Sequence, residues 1–250
     1  MKKNETKSQE HMNNLELNKI YCESNLDTMK RMEDKSIDYV LTSPPYNVFN
    51  KSLAKYKDFK DDFSQEQYFE QQKELIEQML RVTKNHIFYN IQMVSGNKIA
   101  LHKLIGYFSK NIKEVIVWQK TGQPAISEKV FNSCFEYIII FSNNEPNKRY
   151  FSDANFKRGT QNNIFKILNS HSNPFAEHHK AIMPLDIPRY FMINFGKDND
   201  IWYDPYIGTG TTAVAAIEEK RNWIGSEISQ EYTDLANKRL KPYLTQTSLF

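Results

Sequence analysis

Short apolar runs and amphipathic stripes alternate along most of this chain. Asn18 to Cys22 reads as a strand, Leu26, Met29 and Met32 share one face of a short helix, and Ile37 to Leu41 reads as the next strand. Asn47 to Phe63 has no clear period and predicts a loop. It ends at Ser64, with Gln67 three residues on, the signature of a capping box. A helix from Gln65 to about Thr83 then carries Tyr68, Leu75, Ile76, Met79 and Leu80 on one stripe, and His86 to Ile91 follows as a strand. A helix from about Asn97 to Ser109 precedes two more strands, Glu114 to Trp118 and Phe135 to Phe141. Past a long irregular stretch, Leu185 to Phe195 reads as helix, Asp200 to Tyr203 as strand, Thr211 to Lys220 as helix and Asn222 to Glu227 as strand. Ser229 caps a last helix running to about Leu240. Strands joined by crossover helices predict an α/β fold with a doubly wound, mostly parallel sheet covered on both faces.

Composition agrees with one main domain: of 250 residues, 40% are hydrophobic and 25% charged. No run of about 18 apolar residues exists, and residues 1–14 are polar throughout, so a disordered tail and a cytosolic location are expected. Cys22 and Cys134 lie far apart and outside any Cys/His cluster, which argues against a disulfide framework or a metal site and predicts two small buried hydrophobes. The net charge is only +3, but its distribution is informative. Within 143–180, Lys148, Arg149, Lys157, Arg158, Lys166 and Lys180 stand against Glu145, Asp153 and Glu177, an excess equal to that of the whole chain. This segment is too long for an ordinary connection and reads as a functional insertion.

Two motifs follow strand ends. Ser43-Pro44-Pro45-Tyr46 closes the Ile37 to Leu41 run, and residues preceding proline are held extended, so the loop is stiff and points outward. Asp204-Pro205-Tyr206-Ile207-Gly208-Thr209-Gly210-Thr211-Thr212 follows another strand and opens a helix, where glycines let a ligand approach bare backbone. Glu227, nineteen residues beyond Gly208, sits near the distance of a ribose-binding acid in a dinucleotide fingerprint. An ordinary tight turn, a solvated carboxylate and a polyproline turn with a surface aromatic explain each feature singly. A P-loop is disfavoured because no lysine follows the glycines. The Ser43 oxygen and the Pro44 carbonyl suit a base amine, whose N–H groups need acceptors, and Tyr46 suits stacking on an extruded base.

In order and content these motifs resemble the β-class DNA amino-methyltransferases, over nearly the whole chain. The resemblance implies a Rossmann-like methyltransferase sheet, S-adenosylmethionine as cofactor, double-stranded DNA as substrate, and transfer to cytosine N4, slightly favoured, or adenine N6. By position, Ser43, Pro44, Pro45 and Tyr46 resemble the catalytic loop. Asp204, Tyr206, Gly208, Thr209, Gly210, Thr211 and Thr212 resemble the cofactor loop, and Glu227 the ribose acceptor. Ser24 and Asn25 resemble part of the segment contacting the cofactor adenine, although Glu23-Ser24 replaces the usual Gly-Asp; His179 resembles a residue flanking the methionine moiety. Asn132 and Glu136 fall where relatives carry an Asn and a Glu before a strand, and buried structural roles explain them equally well.

The resemblance divides the chain into a catalytic domain, 15–142 with 181–244, a target-recognition insertion, 143–180, and a terminal peptide, 245–250. Lys148, Arg149, Lys157 and Arg158, with Lys51 and Lys55 after the proline loop, are expected on duplex phosphates. Gln246, Leu249 and Phe250 resemble a sliding-clamp docking peptide, packing back on the domain being the alternative, and a homodimer is left open. No metal is expected. A C5-cytosine enzyme is excluded for lack of a Pro-Cys pair. Two rivals remain, a nicotinamide-dependent dehydrogenase and a non-catalytic DNA-binding clamp client.

Overall fold

The computed structural model describes residues 15–48, 61–120, 128–144, 148–166 and 183–246. The elements in chain order are β1 (Lys19–Cys22), α1 (Asn25–Lys30), β2 (Ile37–Thr42), α2 (Gln65–Val82), β3 (Thr83–Ile91), α3 (Lys98–Tyr107), β4 (Ile112–Gln119), β5 (Phe135–Ser142), β6 (Ile164–Lys166), α4 (Asp186–Asn194), β7 (Ile201–Asp204), α5 (Thr211–Glu218), β8 (Asn222–Glu227) and α6 (Gln230–Gln246). The expected capping box forms: the Ser64 hydroxyl accepts from Gln67 N and the Gln67 side chain accepts from Ser64 N. α6 runs past the expected stop near Leu240 and carries Pro242 inside it.

All the strands join one sheet in the order β1-β8-β7-β2-β3-β5-β4-β6. Every pairing is parallel except those of β5, which runs antiparallel to both β3 and β4. Among the described residues between Gln119 and Phe135 there is no helix, in keeping with an antiparallel return of β5 beside β4. Successive β2 side chains face opposite sides. Val40 joins a core with α1, α2 and α3 through Met29, Ile76 and Leu101, whereas Tyr39 and Leu41 join one with α4, α5 and α6 through Phe191, Val214 and Leu240. The doubly wound expectation therefore holds.

Two expectations change. Cys22 and Cys134 are exposed, not buried: one closes the edge strand β1 and the other precedes β5, both at the end of the sheet where the parallel strands finish. The described part of 143–180, chiefly residues 148–166, is less irregular than its composition implies. It adds β6 as an edge strand beside β4, and Phe151 and Phe165 pack on the core. Asp153 reaches the buried groups of two central strands, accepting from Tyr39 Oη at 2.7 Å and pairing with His86 Nε2 at 2.8 Å. Residues 1–14, Lys51, Lys55, His179 and 247–250 lie outside the described residues. Among those described, no helix is long and apolar enough to cross a membrane.

Because Tyr39 and His86 are almost fully buried, Asp153→Ala should cost about 1–3 kcal/mol for each polar group it orphans. Urea unfolding measures this. A variant as stable as the parent would show that the tie is dispensable.

Candidate active site

The site arises where the winding of the sheet reverses. β2 and β7 are parallel neighbours, Tyr39 beside Trp202 and Val40 beside Tyr203. After β2 the chain passes through α2 to β3 on one side, and after β7 it passes through α5 to β8 on the other. The two carboxyl ends are thus left with a crevice between their connections, the place where open α/β sheets bind ligands. The proline loop leaves one of these ends and the glycine turn leaves the other. Tyr46 and Tyr206, one from each, pack on the same core cluster. Tyr68 of α2 lies beside both, and its buried hydroxyl donates to the Pro45 carbonyl at 2.8 Å.

The glycine turn is fastened from inside. Asp204 ends β7 with Oδ1 accepting from Tyr206 N at 3.0 Å and Oδ2 accepting from Thr212 Oγ1 at 2.6 Å. Gly208 and Gly210 take φ of 50° and 82°, the left-handed region that glycine enters without a Cβ penalty. The turn folds back over β8, where Ile207 N donates to Ser226 O. A Cβ on Gly225 would stand 2.3 Å from Ile207 Cδ1, so only glycine fits beneath it. Glu227 accepts from Gly208 N at 3.1 Å and Ser229 N at 2.9 Å, holding the two strand ends together. Arg239 of α6 donates to Thr209 O at 3.1 Å and Thr211 Oγ1 at 2.9 Å. Asn25 Nδ2 donates to Pro205 O at 3.4 Å, so this residue reaches the same site. Ser24 caps α1 by accepting from Asp27 N.

The proline loop is held by polar groups from three further elements. Ser43 Oγ and Tyr46 Oη lie 2.8 Å apart, and Tyr46 Oη donates to Glu136 Oε2 at 2.8 Å. Asn90 Nδ2 reaches all three oxygens, at 3.2 Å from Ser43, 2.7 Å from Tyr46 and 2.8 Å from Glu136. Lys120 Nζ donates to Glu136 Oε1 at 2.9 Å and to Gln92 Oε1 at 3.1 Å, both members of the ion pair being about nine-tenths buried. Just beyond the loop, Asn47 binds Phe63 N, Phe63 O and Gly96 O, while Asp61 accepts from the Asn47 and Val48 amides. These bonds clamp residues 47–48 against 61–63.

Of the residues singled out from sequence, Ser43 to Tyr46, Asn25, the glycine turn and Glu227 thus converge. Asn132 does not join them; it is exposed, while Glu136 is buried at the start of β5. Asn90, Gln92, Lys120, Tyr68 and Arg239 were missed. A signal existed for two of them, since Asn90 and Gln92 are polar residues at the carboxyl end of an apolar strand. Among the residues expected on phosphate, Lys148, Lys157 and Arg158 are exposed, but Arg149 is paired with Glu114 through Nε at 3.0 Å. Among the described residues, no group of His, Cys, Asp and Glu could hold a metal ion.

The N6/N4 DNA methylase family model matches residues 37–238. The type II methyltransferase M.BglII of Bacillus subtilis is 31% identical, the match covering 88% of this chain and 68% of that protein. Among solved structures, the cytosine-N4-specific PvuII DNA methyltransferase superposes with a TM-score of 0.70 at 19% identity, over 88% of this chain and 85% of that one. A complex of M1.HpyAVI with S-adenosylmethionine superposes with a TM-score of 0.60 at 18% identity, over 89% and 99%.

Burial pushes the Asp204 carboxyl up to about 6 from an ordinary 3.8, against the downward pull of its bonds from Thr212 and Tyr206 N. The folded chain therefore holds this proton more tightly than the unfolded chain, and the stability it contributes at low pH is lost as pH rises from about 4 to about 6. Asp204→Asn should lack that loss. The stability difference between parent and variant, followed by urea unfolding across this window, should change by about 3 kcal/mol, whereas parallel curves would refute the assignment.

Proposed function

The chain belongs to the N6/N4 DNA methylase family, and from that premise we propose that it moves the methyl group of S-adenosylmethionine to an exocyclic amine of a base extruded from duplex DNA. Cytosine N4 is slightly favoured over adenine N6 on the Ser-Pro-Pro-Tyr form of the loop, since Ser43 could accept from either amine. The observation that carries this reading is the meeting of the proline loop and the glycine turn at the switch point between β2 and β7.

The residues at the turn fit the cofactor. Gly208 and Gly210 present backbone without side chains, and Glu227, half-buried at the end of β8, has lone pairs left to accept from ribose hydroxyls. Asp204 holds the turn in shape, Thr209 to Thr212 open α5 beneath it, and Tyr206 and Asn25 close the wall towards α1 and α2. S-adenosylmethionine, when bound, supplies a methyl group activated by the positive sulfur.

The rest is done by the chain. An amine on cytosine or adenine is a poor nucleophile because its lone pair is delocalised into the ring. Ser43 Oγ and the Pro44 carbonyl accept its N–H groups and draw the nitrogen towards a tetrahedral shape, in which the lone pair points at the methyl carbon; as the N–C bond replaces the C–S bond, one N–H proton leaves the nitrogen for solvent. Tyr68 fixes the neighbouring Pro45 carbonyl, so these acceptors are positioned before substrate arrives. Tyr46 offers its ring for stacking while its hydroxyl is anchored. Lys148, Lys157 and Arg158 lie on the surface to meet phosphates, which position the duplex without reading its sequence. Family membership displaces the nicotinamide reading, which leaves the Ser43 loop without a task.

Ser43→Ala should lower incorporation of labelled methyl into DNA about 100-fold while leaving calorimetric binding of S-adenosylmethionine unchanged. Undiminished incorporation would remove Ser43 from the site. Modified-base sequencing of DNA from cells expressing the protein identifies the target sequence, and detection of methyl on adenine N6 would reverse the base preference.

A further inference from the structure

The buried pair Glu136–Lys120 stands behind the proline loop, where Glu136 bonds Tyr46 directly, and it dictates which way the hydroxyls of the loop point. An ammonium only donates and a carboxylate only accepts. Lys120 therefore donates to Glu136 Oε1, and Glu136 Oε2 accepts from Tyr46 and from Asn90. The Asn90 amide is oriented by Glu136, because its opposite would set Oδ1 2.8 Å from a carboxylate that only accepts; in the orientation taken, Oδ1 is buried without a hydrogen-bond partner. Tyr46 has one proton, and it is committed to Glu136. In the 2.8 Å contact between Tyr46 and Ser43 the donor is then Ser43. With its own proton turned inward, Ser43 Oγ can offer the crevice only lone pairs.

We propose that Glu136, oriented by Lys120, is a positioning residue that sets the direction of the Tyr46–Ser43 hydroxyl chain, so that the site accepts a base bearing an amine and disfavours one bearing a carbonyl there. The proposal rests on the methylation reading above. It extends that reading from Ser43 to a carboxylate two hydrogen bonds behind it, through Tyr46.

The test is to reverse the chain without removing it. In Glu136→Gln, Lys120 takes the amide oxygen and the amide NH₂ turns to Tyr46, whose proton then passes to Ser43, leaving the Ser43 proton aimed into the crevice. The expected results are a kcat lower by about 100-fold, cognate duplex binding weakened by up to about tenfold, and unchanged binding of S-adenosylmethionine. Activity is not the only readout. The parent should bind a target-site duplex at least about tenfold more tightly than the same duplex with the target amine replaced by a carbonyl, uracil for cytosine or hypoxanthine for adenine. Glu136→Gln should abolish or invert that preference. The double variant Lys120→Met, Glu136→Gln frees the amide to present its oxygen to Tyr46 and should recover about tenfold in kcat over the single variant. Tyr46→Phe, which keeps the ring and removes the relay hydroxyl, should lose the amine preference even where the Glu136→Gln chains fold poorly.

A Glu136→Gln variant with parental kcat and preference, a double variant no better than the single one, or retained preference in Tyr46→Phe would each overturn the proposal. If the parent itself fails to methylate DNA, both this proposal and the functional reading fall; if the parent methylates and the variants behave like it, only this proposal does.

Discussion

β2 and β7 lie side by side in parallel, and parallel neighbours cannot be joined by a tight turn. Their onward connections cross opposite faces of the sheet, so neither connection bridges the gap between the two carboxyl ends. What fills the gap is what each strand releases there. One releases a rigid pair of prolines, which cannot fold back, and the other a turn with two left-handed glycines, which can. The remaining features serve to keep these two segments where the sheet delivers them.

They are kept in different ways. The glycine turn is fastened by its own neighbours in sequence and by the next strand: Asp204 with Thr212 and Tyr206, Ile207 in the space left by Gly225, Glu227 with the Gly208 amide, and Arg239 from the last helix. The proline loop is fastened by groups remote in sequence, Tyr68, Asn90, Lys120 and Glu136. A charge pair buried this deeply is costly to desolvate and contributes little to stability against an apolar substitute. Its presence is therefore better explained by what it does to hydrogen-bond direction than by what it adds to folding. Each Glu136 oxygen has a donor, which ties the carboxylate to Tyr46, Asn90 and Lys120.

The antiparallel β5 is what makes this second fastening possible. Because it starts at the edge where its neighbours β3 and β4 end, residues at its beginning stand beside residues at their ends. Glu136 faces Trp118 in register and approaches Asn90 and Lys120 for that reason. A parallel strand at the same place would have put Ser142 at that edge and Glu136 at the other. Residues 148–166 are likewise tied into the sheet, through β6 beside β4 and Asp153 beside His86.

Much of this was legible before any coordinates. The apolar runs and stripes located nearly all the strands and helices, the capping box marked the start of α2, and both motifs were placed at strand ends, because these features are set by residues within one or two turns of each other. The order of the strands, the reversal of β5, the exposure of Cys22 and Cys134, the pairing of Arg149 with Glu114 and the network behind Ser43 were not. Each depends on which distant segments share a face or an edge, and a linear pattern carries periodicity but no neighbours. The chain alone determined which groups were available for chemistry; only folding decided that Lys120 and Glu136 would stand behind Ser43, since a hydrogen bond acts over about 3 Å and the sequence separates its partners by dozens of residues.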